Sequence, residues 1–300
     1  MIIAGFEAFN LPLYKRAAEI VSKSVPSAPV SVFTDFDIDS NPEKVQKALS
    51  NANVVLISLI FDYTQVEWLR KSISAVPTRF CFESALELMS ETNVGSFQMK
   101  GPAPGMSAGP PAPIKAILQK FGSKKEEDKM TGYLNFLKIG PSILKWVPGE
   151  KVKDIRLWLT VYSYWNQGGE KNIVSMLFTI INELQLAEKT NVTSTPSVES
   201  FRPDPVVENP GVGLFHPNYK AGEYFTSPRR YAEWFKSQHS WVTEDTPRVG
   251  LLLYRKHVIS GQTYIGNMIT LLQSEGIMPV PVFINGVEAH TVVRDLFTTR

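Results

Sequence analysis

The sequence is poor in the residues that build metal and redox centres. In 300 residues it has one cysteine, Cys81, and four histidines, His216, His239, His257 and His290. A single thiol excludes an internal disulfide framework and a cysteine-based zinc site, and it fits a reducing compartment. No two histidines stand at an H-x-x-x-H or H-E-x-x-H spacing, so no metal site is expected. Neither charge sign is in excess: 31 lysines and arginines against 29 aspartates and glutamates leave a net charge of +2. That balance argues against a dedicated nucleic-acid binder, which concentrates basic residues on one face. No apolar run approaches the roughly 18 residues of a membrane span. Also missing are a G-x-G-x-x-G after a strand, a G-x-x-x-x-G-K-[ST] loop and a G-x-S-x-G elbow. A nucleotide hydrolase or a nicotinamide dehydrogenase would lack its phosphate cradle. The acidic residues are scattered, with no local carboxylate pair for acid–base work. No catalytic residue is assigned.

What is present is ample apolar material, 43% of the chain, at a length that suggests two domains of about 150 residues each. The first ninety residues alternate strand and helix signals. MIIAGF is followed by a helix over 11–24, whose apolar positions Leu13, Ala17, Ile20 and Val21 recur at spacings of three and four. VSVFT reads as a strand, and Asn41-Pro42-Glu43 as a cap with proline at the first helical position. NVVLISLIF, apolar throughout, suits a strand covered on both faces. A helix from about Tyr63 to Ser74 and a fourth strand, TRFCF, complete an α/β layer with a parallel sheet.

Residues 101–113, eight of them glycine or proline, break this rhythm and read as a mobile loop. The adjoining GSKKEEDK is a solvated charge run. A helical segment is expected over 130–187, closing an N-terminal domain over 1–190. Its middle helix carries Trp158, Tyr162, Tyr164 and Trp165, and a packing seam is the first reading of that face. A Pro/Ser/Thr/Asn-rich stretch over 190–211 reads as a linker, and its Asn191 acceptor motif as chance. A second α/β domain begins over 205–300, with PRVGLLLY a strand, RKHVISGQ a loop, TYIGNMITLLQSEG a helix and MPVPVFING a strand. One βαβ unit is short of an open sheet, so this domain reads as truncated. The start, on an apolar strand with no leader, and the end, inside VVRDLFTTR, both read as cut.

Arg255 and His257 leave the carboxyl end of a parallel strand, where open α/β sheets bind ligands. They can meet an anionic ligand's carboxylates or, in the case of His257, ligate a metal axially. The plainer alternative, His257 satisfying a backbone carbonyl in a surface loop, stays open and is favoured. His216, before Pro217, reads as part of an ordered loop packed on the sheet.

The blocks NANVVLISLIFDYTQVEWLRKSI, NVGSFQM, SILKWVPGEKVKDIRLWLTVYSYWNQGGEKNI, GLFHPNY and VGLLLYRKHVISGQTYIGNMITLLQSEGIMPVPVFINGVE occur in the order seen in the N-terminal part of the magnesium chelatase H subunit. The chain resembles that family over essentially its whole length, and its last block resembles the start of the chelatase domain shared with the cobaltochelatase large subunit. The departures are the short NQGGEKN, where the photosynthetic family carries a longer glycine-rich form, and the loop over 101–113. The resemblance implies a porphyrin-binding part of a multisubunit ligase that inserts Mg²⁺ into protoporphyrin IX in chlorophyll biosynthesis, inactive as this chain alone. It implies Mg²⁺ and protoporphyrin IX as substrates, AAA+ I and D subunits as partners, and ATP used by those partners rather than bound here. The porphyrin contacts it suggests are Arg255, His257, Trp158 and Trp165. The implied location is the plastid stroma, or the cytoplasm of a cyanobacterium. A cobaltochelatase-type subunit of cobalamin synthesis and a non-catalytic tetrapyrrole-binding or regulatory module remain as alternatives.

Overall fold

A computed structural model describes residues 1–6, 8–99, 150–184, 186, 202–220, 223–285, 294 and 297. The loop over 101–113, the charge run, the first part of the helical segment, most of the linker, Asn191 and His290 lie outside the described residues. The chain divides into two compact units, Met1–Val207 and Glu208–Arg300.

The first unit is built on a sheet whose first four strands are parallel: β1 (Ile2–Ala4), β2 (Val32–Thr34), β3 (Val54–Ser58) and β4 (Thr78–Phe82). They lie in the order β2-β1-β3-β4, and an antiparallel hairpin, β5 (Asn93–Val94) and β6 (Phe97–Gln98), extends the β4 edge. Successive side chains alternate between the two faces of a strand. Ile2, Ala4, Leu56, Phe80 and Phe82 therefore enter one core, and Ile3, Val55, Ile57 and Cys81 the other. The first core is closed by α1 (Leu11–Ser24), α6 (Glu150–Gln167) and α7 (Glu170–Glu183). The second is closed by α2 (Asp35–Ser40), α3 (Pro42–Ser50), α4 (Tyr63–Ser72) and α5 (Leu86–Met89). The connection from β1 runs outward to β2, and the next reverses past β1 to β3. With right-handed crossovers that reversal moves the helices to the opposite face and leaves a switch point between β1 and β3. Cys81 sits in the sheet, where burial pushes its thiol up to about 12.

Two elements here escape sequence periodicity. Helix α2 is one and a half turns, held by a capping box in which Thr34 and Asp37 exchange side-chain-to-backbone bonds. The β5–β6 hairpin is pinned from α6, where Asp154 accepts from the backbone N–H and hydroxyl of Ser96 at 2.6 and 2.7 Å. Asn41 occupies the cap position of α3 but makes no side-chain capping bond.

The second unit has a three-stranded sheet among the described residues, in the order β7-β9-β8: β7 (Gly213–Leu214), β8 (Arg248–Tyr254) and β9 (Met278–Ile284). β8 and β9 are parallel and joined through α10 (Thr263–Ser274), while β7 is antiparallel to β9. Gly276 follows α10 at φ +70°, the left-handed position that glycine adopts without strain. Helix α8 (Pro228–Gln238), which the sequence patterns above do not predict, packs Tyr231 and Phe235 into a cluster with Leu214, Phe225, Met278 and Val282. The stretch after β8, expected as a loop, begins with a short helix, α9 (Arg255–Ile259). Its Val258 packs with Leu253, Ile265, Ile269 and Phe283, and that burial is the reason the segment coils.

At the switch point β1 and β3 approach closely. Gly5 N–H donates to the Ser58 carbonyl at 2.9 Å, and a Cβ on Gly5 would collide with the Leu59 carbonyl oxygen. Gly5→Ala is expected to cost about 1–3 kcal/mol, as overpacking does where backbone must move. A lower urea midpoint, read by fluorescence of the buried tryptophans, checks this.

Candidate functional site

In the second unit the candidate residues gather where β8 ends. Arg255, the first residue of α9, is 3% exposed. Its Nε donates to the Pro210 carbonyl at 2.9 Å and its Nη2 to the Asn209 carbonyl at 3.1 Å. Burial lowers its pKa and raises that of nearby Tyr224, and the two also favour each other's charged form. The guanidinium is expected from sequence to meet an anionic ligand. In the structure it faces main-chain carbonyls, and it fixes residues 209–210 beside the sheet.

His257 lies two residues on, half-buried at the surface. Its Nδ1 is 2.6 Å from the Tyr264 hydroxyl, and its ring meets those of Tyr264 and Tyr254 edge to face at 5.8 and 5.7 Å. Both tyrosines are exposed large aromatics. An imidazole between two exposed phenol rings makes an aromatic surface of the kind that takes flat apolar ligands. Sequence patterns do not single out Tyr264. It lies seven residues after His257, beyond the turn at Gly261, and a pairing across a helix break leaves no periodic signal.

Folding brings together a second imidazole group from three distant segments. His216 is buried against Tyr231, Trp234 and Phe235. The Asn218 backbone N–H donates to its Nδ1 at 3.2 Å, so the neutral ring carries its proton on Nε2. The terminal amide of Gln273 lies 3.4 Å from that Nε2 and 2.9 Å from His239 Nε2. The tautomer then requires the Gln273 carbonyl oxygen to face His216 Nε2–H. A ring protonated at Nε2 offers no lone pair to a metal there. Among the described residues no group of three or more His, Cys, Asp or Glu is placed to hold a metal ion.

Trp158 and Trp165 belong to the first unit, so each unit holds two of the four candidates. Both indoles are inside the core rather than on a surface. Trp165 stacks on Tyr14 at 5.1 Å, and its Nε1–H donates to the Ser58 hydroxyl at 3.0 Å. Trp158 stacks on Tyr162 at 5.7 Å and packs against Phe82 and Phe97. Its Nε1–H has no acceptor among the described residues. Ring contact by either indole requires the helical layer to open.

Comparison with known proteins gives the class. Residues 1–159 match the family described as Domain of unknown function (DUF3479), and residues 162–300 match CobN/Magnesium Chelatase. The magnesium-chelatase H subunit of Chlorobaculum parvum is 33% identical over 296 residues, covering 98% of this chain and 22% of that protein. The chloroplastic magnesium-chelatase protein ChlH of Oryza sativa subsp. indica is 25% identical over 251 residues, covering 80% of this chain and 17% of that protein. The chain thus belongs to the magnesium-chelatase H-type family and corresponds to the N-terminal portion of such a protein. Among solved structures, the catalytic subunit of cobaltochelatase from Mycobacterium tuberculosis aligns over 94% of this chain and 16% of its own, at 11% identity and a TM-score of 0.37.

His216 supplies an acid-sensitive element. Burial, and then the neighbouring His239, lower its pKa from 6.5 to about 4. Between those values the unfolded chain binds a proton that the folded chain does not, so stability falls as the pH drops from 6.5 towards 4. The loss amounts to roughly 3 kcal/mol. His216→Asn, which cannot titrate, is expected to flatten that part of the pH–stability profile in urea unfolding.

Proposed function

We propose that the chain is the N-terminal part of the porphyrin-binding H subunit of a magnesium chelatase, which inserts Mg²⁺ into protoporphyrin IX for chlorophyll biosynthesis. The observation that carries this reading is the 33% identity over 296 residues with the magnesium-chelatase H subunit of Chlorobaculum parvum. The chain spans 22% of that relative's length, so the activity, substrates and partners are those of a larger assembly. Residues 1–190 serve as a structural and ligand-access module, and residues 205–300 open the chelatase domain.

In this reading Mg²⁺ and protoporphyrin IX are substrates. Mg²⁺ gives up its water reluctantly and prefers oxygen ligands. Moving it onto four pyrrole nitrogens needs an energy source, and ATP hydrolysis by AAA+ I and D subunits supplies it. The lack of a phosphate loop in this sequence agrees with that division. His257, with Tyr254 and Tyr264, contacts the macrocycle, and Arg255 holds the segment beside it. Trp158 and Trp165 reach the ring only if α6 shifts. The protein works in the plastid stroma, or in the cytoplasm of a bacterium. The family's bacterial member and the rice protein named chloroplastic support both settings. Among the described residues no helix is long and apolar enough to cross a membrane.

Titration of the chain with deuteroporphyrin IX is expected to shift the Soret band saturably at micromolar concentrations. His257→Ala and Tyr264→Phe should each weaken binding by about three- to tenfold, as loss of one hydrogen bond or ring contact does. An unsaturable shift, indifferent to both variants, sinks the assigned contacts. Mixed with I and D subunits, Mg²⁺ and ATP, the chain alone should form no Mg-protoporphyrin. Turnover there contradicts its role as one part of a larger protein.

A further inference from the structure

The carboxyl edge of the first unit's sheet has a surface chemistry that the porphyrin reading does not use. The segments leaving β1, β2, β3 and β4 are GFEAFN, TDFDIDS, LIFDYTQ and FESALE, which carry no lysine, arginine or histidine and, among the described residues, six acidic ones. Of the seven large apolar side chains exposed in this unit among the described residues, five stand on these segments. They are Phe6 (71% exposed), Phe36 (73%), Phe61 (52%), Tyr63 (78%) and Leu86 (44%).

Hydrogen bonds tie the four segments into one face. Phe6 N–H donates to the Asp35 carboxylate at 3.3 Å, and the Phe6 and Phe61 rings lie 6.0 Å apart. Gln65 Nε2 donates to the Asp39 carboxylate at 2.8 Å and to the Asp35 carbonyl at 3.3 Å. Ala85 N–H donates to the Ile60 carbonyl at 3.0 Å. Two of the acids act in helix capping, Asp37 in the α2 box and Asp62 on Gln65 N–H. Among the described residues, Asp35, Asp37, Asp39, Asp62 and Glu87 make no ion pair. Elsewhere in the same unit Glu19 pairs with Lys23, and Glu67 and Glu91 pair with Arg70.

We propose that this edge docks a basic segment of another polypeptide, one that alternates lysine or arginine with apolar anchors. Exposed rings take up both the anchors and the cations, and the ring of carboxylates sets the sign of the partner. An anionic macrocycle carrying propionates is disfavoured by the same carboxylates. The four segments leave the same edge of one sheet and are bonded to one another, so a strand or helix laid along that edge can reach them all.

The test uses the full chain and a labelled peptide of lysine, leucine and tryptophan, with a glutamate-for-lysine version as control. Fluorescence anisotropy should show binding of the basic peptide only, weakening with salt. Phe36→Ser with Phe61→Ser should weaken it by about tenfold. Asp39→Asn, Asp62→Asn and Glu87→Gln together keep the acceptor oxygens and should flatten the salt dependence. If the aromatic variant fails to keep its near-UV circular dichroism, the charge variant decides alone. Equal binding of both peptides, or binding indifferent to the charge variant, overturns the proposal. So does a chain dimer in sedimentation that the aromatic variant dissolves, which would make a second copy the occupant. A porphyrin Soret shift lost in the aromatic variant, with peptide binding unchanged, overturns it as well.

Discussion

Strand β3 meets protein on both faces and on both edges, and the first unit is arranged to satisfy it. Its five residues are all buried, so every backbone group has to find a partner within the sheet. β1 and β4 provide those partners in register, Ile2 opposite Leu56 and Phe80 opposite Leu56 on the other side. The helices are then obliged to form two layers, since a one-sided covering would leave Val55 and Ile57 in water. Ser58 closes the strand with a polar side chain in the core, tolerable because the Trp165 indole donates to its hydroxyl. That bond reaches across 107 residues of sequence and fixes α6 to the end of β3.

The parts of this architecture that sequence conveys are those with a period. The helices over 11–24 and 63–72, and the strands 54–58, 78–82, 248–254 and 278–284, each show an apolar repeat or an apolar run. The sheet's parallel character follows from strands that are hydrophobic without alternation. What sequence conceals is short or assembled at a distance. Helix α2 is too brief for a repeat, and its signal lies in Thr34 and Asp37, three residues apart. Helix α8 does carry a signal, with Pro228 at its start and Tyr231 and Phe235 four residues apart, but one apolar pair is too little to stand out.

The site residues separate along the same line. Arg255 and His257 can be singled out because strand ends are where open sheets bind ligands. Their different roles cannot be read, because they depend on which way one turn of α9 faces. Arg255 points inward to the carbonyls of Asn209 and Pro210, and His257 outward to Tyr264. Trp158 and Trp165 carry the chemistry of a ring-binding face at a spacing of seven, which is also the spacing of a core seam. In the structure both lie in that seam. The His216–Gln273–His239 group is invisible in sequence, Gln273 being separated from its two partners by 57 and 34 residues.

The scarcity of cysteine acquires a practical value from the place of Cys81 in the sheet. Its thiol is buried, and burial pushes its ionisation up to about 12. Thiolate is the reactive form, so at neutral pH the native chain presents almost none to alkylating or oxidising reagents. These 300 residues, whose one thiol is buried, are in effect silent to thiol chemistry. A cysteine introduced at any exposed position becomes their one addressable point for a fluorophore, a spin label or a crosslinker, with no native residue to remove first.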